Sequence, residues 1–455
     1  YRMLRLLAGR PASAIAASTF ALHAIHSEVV AGIVGRAELL AFCFGAGALL
    51  GGEQARRRAG AARALLFGGS AVSLFLAFCS KESAVAWAPF LLVFGMARAW
   101  SRQPPGERAA AVPLLGKVAP GVLLLSALPL LAFFVLRHGA LGQLEHEVLY
   151  FANPLYHAPP ATRLLSAGMI WGHGLWLTLF PFRLASDYGI AVFPMIESIL
   201  DARFLVPALV LSGILIAGLV LARRSPLSFL ALTCCVGFSF LTSNVPFAIG
   251  TPFGERLYYT PSLGLAFLAA AFVPWLRARP RVKQAALALL CLWLAACFVR
   301  TFDRCLVWKN NRSVFTTDVR IQPRSARLQR GAAWFAEGER KREHLERAVS
   351  LYPGYAEAWS DLAGTYVREQ NLKKAEDCLR SALSSLKGPG VVVDGYDIHW
   401  NLGFLLARTK RDKEAGEHLA TALRLRPAQF REQLDRLGDA ARRKALELLR
   451  GIRER

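Results

Sequence analysis

Residues 204–222 read FLVPALVLSGILIAGLVLA, a stretch without a single charge. As a helix rising about 1.5 Å per residue it is long enough for a hydrocarbon core of about 30 Å. A second such stretch, VAPGVLLLSALPLLAFFVL, fills 118–136. A soluble core has no use for several of these, so the chain is predicted to be all-α and polytopic. Working outward, apolar runs predict spans over 11–25, 30–51, 64–79, 84–97, 112–136, 163–180, 203–222, 227–243, 259–276 and 284–301.

Of 455 residues, 54% are hydrophobic and 19% charged, and the net charge is +23. The excess arginine lies between the spans: Arg2, Arg5 and Arg10; Arg56, Arg57 and Arg58; Arg98, Arg102 and Arg108; Arg223 and Arg224; Arg277, Arg279, Arg281 and Lys283. Short basic loops of this kind set orientation by staying in the cytoplasm, which argues against nucleic acid as a partner. Alternation then works over 1–136 and from 223 onward. It fails once between 137 and 223, so one segment there is expected to be re-entrant or interfacial. The aromatic 163–180, with His173, is the candidate. The eight cysteines show no disulfide or metal spacing.

The opposite loops, HAIHSEVV (23–30), SKES (80–83), RHGALGQLEHEVLYFANPLYHAPP (137–160) and GTPFGERLYY (250–259), hold most of the histidine and acid of the membrane half. Any chemistry is expected on that face, and the last span delivers the remaining chain to it. That remainder is charged and repetitive. Ala348, Ala382 and Ala422 recur at spacings of 34 and 40, the first being the tetratricopeptide period. Trp359, Leu362, Ala363, Tyr366, Ala375, Leu379 and Ala382 take packing positions in one repeat. Leu402, Gly403, Ala415, Leu419, Ala422 and Pro427 do so in the next, after the connection KGPGVVVDGYD. Such a solenoid leaves a concave groove for peptides, with Trp359, Tyr366 and Asn401 as candidate contacts. The division is 1–301 membrane domain, 302–330 junction, 331–455 repeats. Because the chain starts at Tyr1 in a basic segment, an N-terminal span and first loop are expected to precede it.

Within the membrane half, His23 and His26 would share a helix face, as a metal pair or, more commonly, as interfacial polar residues. Glu28, Arg36 and Glu38 follow. Lys81 and Glu82 read as a hairpin turn with an exposed ion pair, worth about 0–1 kcal/mol. Glu255 and Arg256 put an acid and a base at the mouth of a span, beside Tyr258 and Tyr259, which would ordinarily be interfacial anchors. Asp187 is a lone acid in FPFRLASDYG. Ionisable groups near bilayer depth are costly to keep, which favours a functional reading.

In combination these segments resemble the transmembrane and tetratricopeptide-repeat O-mannosyltransferases. HAIHSEVVAGIVGRAELL resembles that family's HPxHTEAVAxIVGRAxLL, with Ala24 in place of Pro and Ser27 in place of Thr. SKESAV resembles SKEQGxT, and GERLYYTPSLG resembles ERVLYxPSxG. The segment 151–199, with FANP, LFPFRLASDYG and FPMIES, resembles the family's central region, and RTFDRCLVWKNNRSVF resembles the junction before its repeats.

The resemblance implies a GT-C glycosyltransferase of the bacterial inner membrane or endoplasmic reticulum, with its repeats periplasmic or lumenal. It would move a sugar, mannose for this family, from a polyprenyl or dolichyl phosphate to Ser or Thr hydroxyls of an acceptor protein held through the repeats. Arg256, Lys81 and Arg36 are the candidates for binding the donor phosphate. His23, His26, Glu28, Glu82, Asp187 and Glu255 would line or orient the site. The family's catalytic acid belongs to the first extracytoplasmic loop, expected upstream of Tyr1. No cofactor is assigned, a divalent cation being the alternative left open. The competing reading is a non-catalytic membrane-anchored scaffold whose repeats recruit partners. A transporter would need internal repeats among its spans, which the sequence does not show.

Overall fold

The computed structural model describes residues 1–103, 115–142, 148–386 and 394–453. Arg108, the acidic part of the 137–160 loop (Glu145, His146, Glu147) and most of the connection before residue 394 lie outside them. The described chain is helical, without a strand. It divides into two compact units. The first comprises Tyr1–Glu147, Leu155–Ser186 and Pro194–Val314; the second comprises Val148–Pro154, Asp187–Phe193 and Phe315–Arg455.

In the first unit α1 (Arg10–Ala21) breaks at a 3-10 turn, Ala24–His26, and restarts as the short α2 (Ser27–Ala31). The two are bent by 47° and make one broken span if counted together. Then come α3 (Arg36–Ala55), α4 (Gly60–Ser80), α5 (Trp87–Ser101), α6 (Leu115–Leu141), α7 (Pro160–Leu179), α8 (Ala202–Ala222), α9 (Pro226–Thr233), α10 (Leu263–Arg277) and α11 (Pro280–Val307). Seven stretches are long and apolar enough to cross a membrane: Ile33–Ala55, Gly60–Ser80, Glu82–Ser101, Leu115–Leu141, Ala202–Ala222, Glu255–Arg277 and Pro280–Val307. This makes the chain a multi-pass membrane protein with an all-α fold.

Besides the broken first helix, two of the apolar runs are not among these seven, and 163–180 is the one the sequence singles out as re-entrant or interfacial. The helix over 163–180 has full length as α7 but falls short in apolar character. The run 227–243 forms only a short apolar helix, Pro226–Phe238, whose last turn is a π-helix. Backbone groups in lipid must be satisfied within the segment, and this run ends in serines and Asn244, which bond locally instead. Asn244, at φ 62°, takes the Ile249 N–H and donates to the Thr251 and Pro252 carbonyls.

Packing in this unit relies on small residues. Lipid tails are as apolar as leucine, so helices associate where backbones can approach closely. Gly45 of α3 lies against the Trp87 indole, and Gly264 of α10 lies against the Ala231 carbonyl and Cys235. Trp87, Phe78, Phe94 and Phe267 are buried in the resulting core. By contrast α8 buries only Ala222.

The unit boundary falls within α12 (Asn311–Ile321). Helices α13 (Ala326–Ala333) and α14 (Gly338–Leu351), α15 (Ala356–Arg368) and α16 (Leu372–Ser385), and α17 (Tyr396–Arg408) and α18 (Asp412–Leu425) follow as packed pairs, then α19 (Pro427–Asp435) and α20 (Asp439–Arg453). This is a helical solenoid. Leu362, Ala363, Ala375, Leu379, Ala382, Leu402, Ala415, Leu419 and Ala422 are buried as the repeat pattern requires. Pro427 is not a packing residue; it is exposed and opens α19, where a missing N–H costs nothing.

Candidate functional site

The break after α1 determines what lies around it. His23 caps the 3-10 turn that follows, accepting the Ile25 N–H at Nδ1 (3.2 Å), while its Nε2 meets the Thr178 carbonyl at 2.7 Å. A ring nitrogen facing a carbonyl must carry the proton, so His23 is the Nε2–H tautomer. His26 places Nε2 2.8 Å from the Ser262 hydroxyl, which itself donates to the Tyr259 carbonyl at 2.7 Å. Ser262 therefore accepts from His26. Around that imidazole lie Tyr259, edge-on at 4.5 Å between ring centres, and Phe20 at 4.6 Å. Trp293 stands edge-on to His23. The two imidazoles are 5.5 Å apart with these nitrogens engaged, and no group of three metal-ligating side chains occurs among the described residues.

One turn on, Glu28 is buried and receives Arg256 twice. Its Oε1 accepts from Nη1 at 2.5 Å and its Oε2 from the Arg256 backbone N–H at 2.8 Å. Residues 228 positions apart are thus joined by a charge-assisted, two-point contact, the strong kind of hydrogen bonding. The Arg256 side chain remains a quarter exposed. Gly254 makes room for it, since a Cβ there would stand 3.3 Å from Nη1. The 3-10 turn Glu255–Tyr258 carrying Arg256 is seated by two neighbours. Glu255 is fully buried and accepts the Ala185 N–H at 2.6 Å. Tyr258 packs on Gly174 of α7, where any side chain would overlap its ring. Glu255 and Arg256, the acid and base at the mouth of this span, engage the Ala185 N–H and Glu28 respectively.

The expected Lys81–Glu82 pair is not formed. Lys81 bonds Glu38 of α3 at 3.0 Å, and Glu82 bonds Arg137 at the end of α6 at 2.8 Å. Arg36 is exposed, with no side-chain partner among the described residues. Asp187 is described with the second unit, where it accepts from the Ser325 hydroxyl at 2.7 Å and the Gly189 N–H at 3.0 Å and lies 3.6 Å from Arg327. Its local role is to hold the residue that caps α13.

The structure therefore brings together His23, His26, Glu28 and Arg256, and Glu38 with Lys81. Sequence reasoning missed Ser262, Thr178 and Arg137, and read Tyr259 only as an anchor. Ser262 had a signal, since it falls in GERLYYTPSLG six residues after Arg256. Thr178 contributes a carbonyl, which no side-chain pattern reveals.

In the second unit a cavity of about 320 Å³ is lined by Trp359, Tyr366, Lys374, Asp377 and Glu346, among others. The Tyr366 hydroxyl donates to Glu346 at 2.7 Å, and the Trp359 indole N–H donates to the Pro353 carbonyl at 2.8 Å. Asn401 is exposed and reaches Ser360 at 3.4 Å; it is not among the cavity's lining residues.

Comparison with known proteins points one way. Residues 148–215 match the family model described as protein O-mannosyl-transferase TMTC, DUF1736. That match covers both internal segments, 148–154 and 187–193, that cluster with the second unit. The chain is 25% identical over 457 residues to human protein O-mannosyl-transferase TMTC3, covering 94% of this chain and 49% of the relative. It is 27% identical over 458 residues to Tmtc3 of Drosophila melanogaster, covering 89% and 48%. With human TMTC1 it shares 26% over 404 residues, covering 78% and 44%. The chain spans about half the length of the curated relatives it matches. The resemblance read from the motifs is thereby borne out: along almost its whole length this chain is similar to the TMTC protein O-mannosyl-transferases.

Proposed function

We propose that the protein is a membrane glycosyltransferase of the GT-C type, taking mannose from a polyprenyl or dolichyl phosphate and placing it on Ser or Thr hydroxyls at the extracytoplasmic face. The observation carrying this reading is the Glu28–Arg256 contact beside the His26–Ser262 pair. A lipid phosphate that leaves with a negative charge requires a fixed cation, and fixed donors aimed at developing charge are the largest single contribution in many enzymes. Glu28 holds Arg256 from one side, and part of the arginine side chain stays exposed. Arg36, exposed and with no carboxylate partner among the described residues, adds a positive charge. Lys81, bonded to Glu38, contributes less.

A base toward the acceptor hydroxyl is a separate requirement. Glu28, Glu38 and Glu255 are each engaged with a cation or a backbone amide, which makes them poor bases and is compatible with an acid contributed from outside this cluster. In the solenoid, the cavity beside Trp359 and Tyr366 suits an extended segment of acceptor protein.

The test is Arg256→Ala in the full-length protein, assayed for transfer from a mannosylated polyprenyl phosphate to an acceptor. A loss of about 10²–10³-fold is expected at unchanged protein level, as for removal of one charge-stabilising donor. Undiminished transfer would remove the phosphate assignment.

A further inference from the structure

Between the arginine-bearing ends of α3, α4 and α5 and the start of α6, the first unit holds a cavity of about 110 Å³. Glu53, Arg56 and Arg63 stand on its polar side, and Phe67, Val122 and Leu125 form its apolar wall. The volume matches the share of about three to four waters in the liquid, enough for a phosphate group.

The charge balance of the site is lopsided. Glu53 is buried and bonded to Arg98, also buried, so these two cancel. Arg56 approaches the same carboxylate only at 4.0 Å. Arg57, Arg58, Arg63 and Arg102 are exposed with no carboxylate partner among the described residues. Arg56 is exposed as well, its side chain half open, and burial of the remainder together with the positive charge of Arg102 lowers its affinity for its proton. With Glu53 already paired to Arg98, the polar side of the cavity presents Arg56 and Arg63, and Arg102 adds to the positive charge felt there, so an anion would relieve repulsion. Basic pockets between spans on the cytoplasmic side take anionic lipid headgroups for this reason.

We propose that this cavity holds the headgroup phosphate of an anionic phospholipid from the adjoining leaflet, gripped by Arg56 and Arg63, with its acyl chains leaving along the apolar wall. A lipid suits the site better than a free ion because the polar and apolar walls meet in one small space at the membrane edge. The site is built from different residues than the His26–Arg256 cluster and does not depend on the transferase reading.

The full chain in phosphatidylcholine nanodiscs, with and without phosphatidylglycerol, provides the test. Phosphatidylglycerol is expected to raise the unfolding temperature by about 2–4 °C. Inorganic phosphate added to phosphatidylcholine discs is expected to give no shift, and an equal shift would overturn the lipid assignment. Arg56→Gln with Arg63→Gln should abolish the rise. Gly121→Leu should abolish it with every charge intact, because Gly121 lines the cavity and faces open space. A rise surviving in either variant would overturn the proposal. Should those variants fail to fold, native mass spectrometry of the wild-type chain decides: enrichment of bound anionic phospholipid over the surrounding membrane is expected, and its absence refutes the site.

Discussion

At the scale of single residues, the solenoid carries a pair whose behaviour is fixed by proton count. His399 and His418 face each other at 2.8 Å, Nδ1 to Nδ1. One ring must donate and the other accept, so the contact cannot survive protonation of both. Burial lowers the proton affinity of each ring, assisted at His399 by His418 and Arg424, and at His418 by Arg380. The sign follows by linkage. The unfolded chain, with histidine near 6.5, binds protons that the folded pair refuses, so stability is complete above about pH 6.5 and is lost as pH falls below it. Hydrogen exchange of α17 and α18, corrected for intrinsic rate, should show protection steady from about pH 7.5 to 6.5 and falling from there to about pH 5.5. His418→Gln should flatten that fall; an unchanged slope would count against the pair. The histidines of the membrane half were visible in the sequence for a different reason: HAIHSE is a motif. Which atoms they bond was not legible, because Thr178 and Ser262 reach them only through the tertiary fold.

Elements have their own logic at the turns. In two successive repeats the link between paired helices passes through a left-handed residue, Gln370 (φ 59°) and Lys410 (φ 61°). They are 40 positions apart, the same separation as Ala382 and Ala422, so the repeat is written in the backbone where no glycine announces it. A non-glycine residue in this region costs of order 1 kcal/mol. Lys410→Gly is therefore expected to stabilise the chain by about 0.5–1 kcal/mol, and Lys410→Val to destabilise it by about 1–2 kcal/mol. Thermal unfolding reads both, and a less stable glycine variant would contradict the strain argument. Helix positions in the solenoid were legible because alanine and leucine recur at packing sites. The extent of 227–243 was not, since hydropathy does not register that Ser239, Thr242, Ser243 and Asn244 bond their own neighbours.

For the whole molecule, the α3–α4 hairpin makes orientation testable. Arg57 precedes α4 and Glu82 follows it, so one span separates them. Single cysteines at Arg57 and Glu82, in a chain cleared of its native cysteines, should react with impermeant reagent from opposite sides of the bilayer. Labelling from one side would remove the orientation drawn from the arginine loops. All-α, multi-pass architecture with a solenoid was readable from composition and period, because both are set by physics acting over twenty residues or more. The division of the chain was less so. Residues 148–154 and 187–193 cluster with the C-terminal unit although neighbouring sequence belongs to the membrane half.

That clustering bears on how the molecule can be taken apart. The backbone is threaded from one unit to the other and back, so a nick at the 314/315 link would leave them tethered through the earlier passages. A fragment excised from residue 315 onward would also strip Tyr352 and Tyr355 of Phe151, and Ser325 of Asp187. Its solenoid would then present raw surface that the intact polypeptide keeps covered.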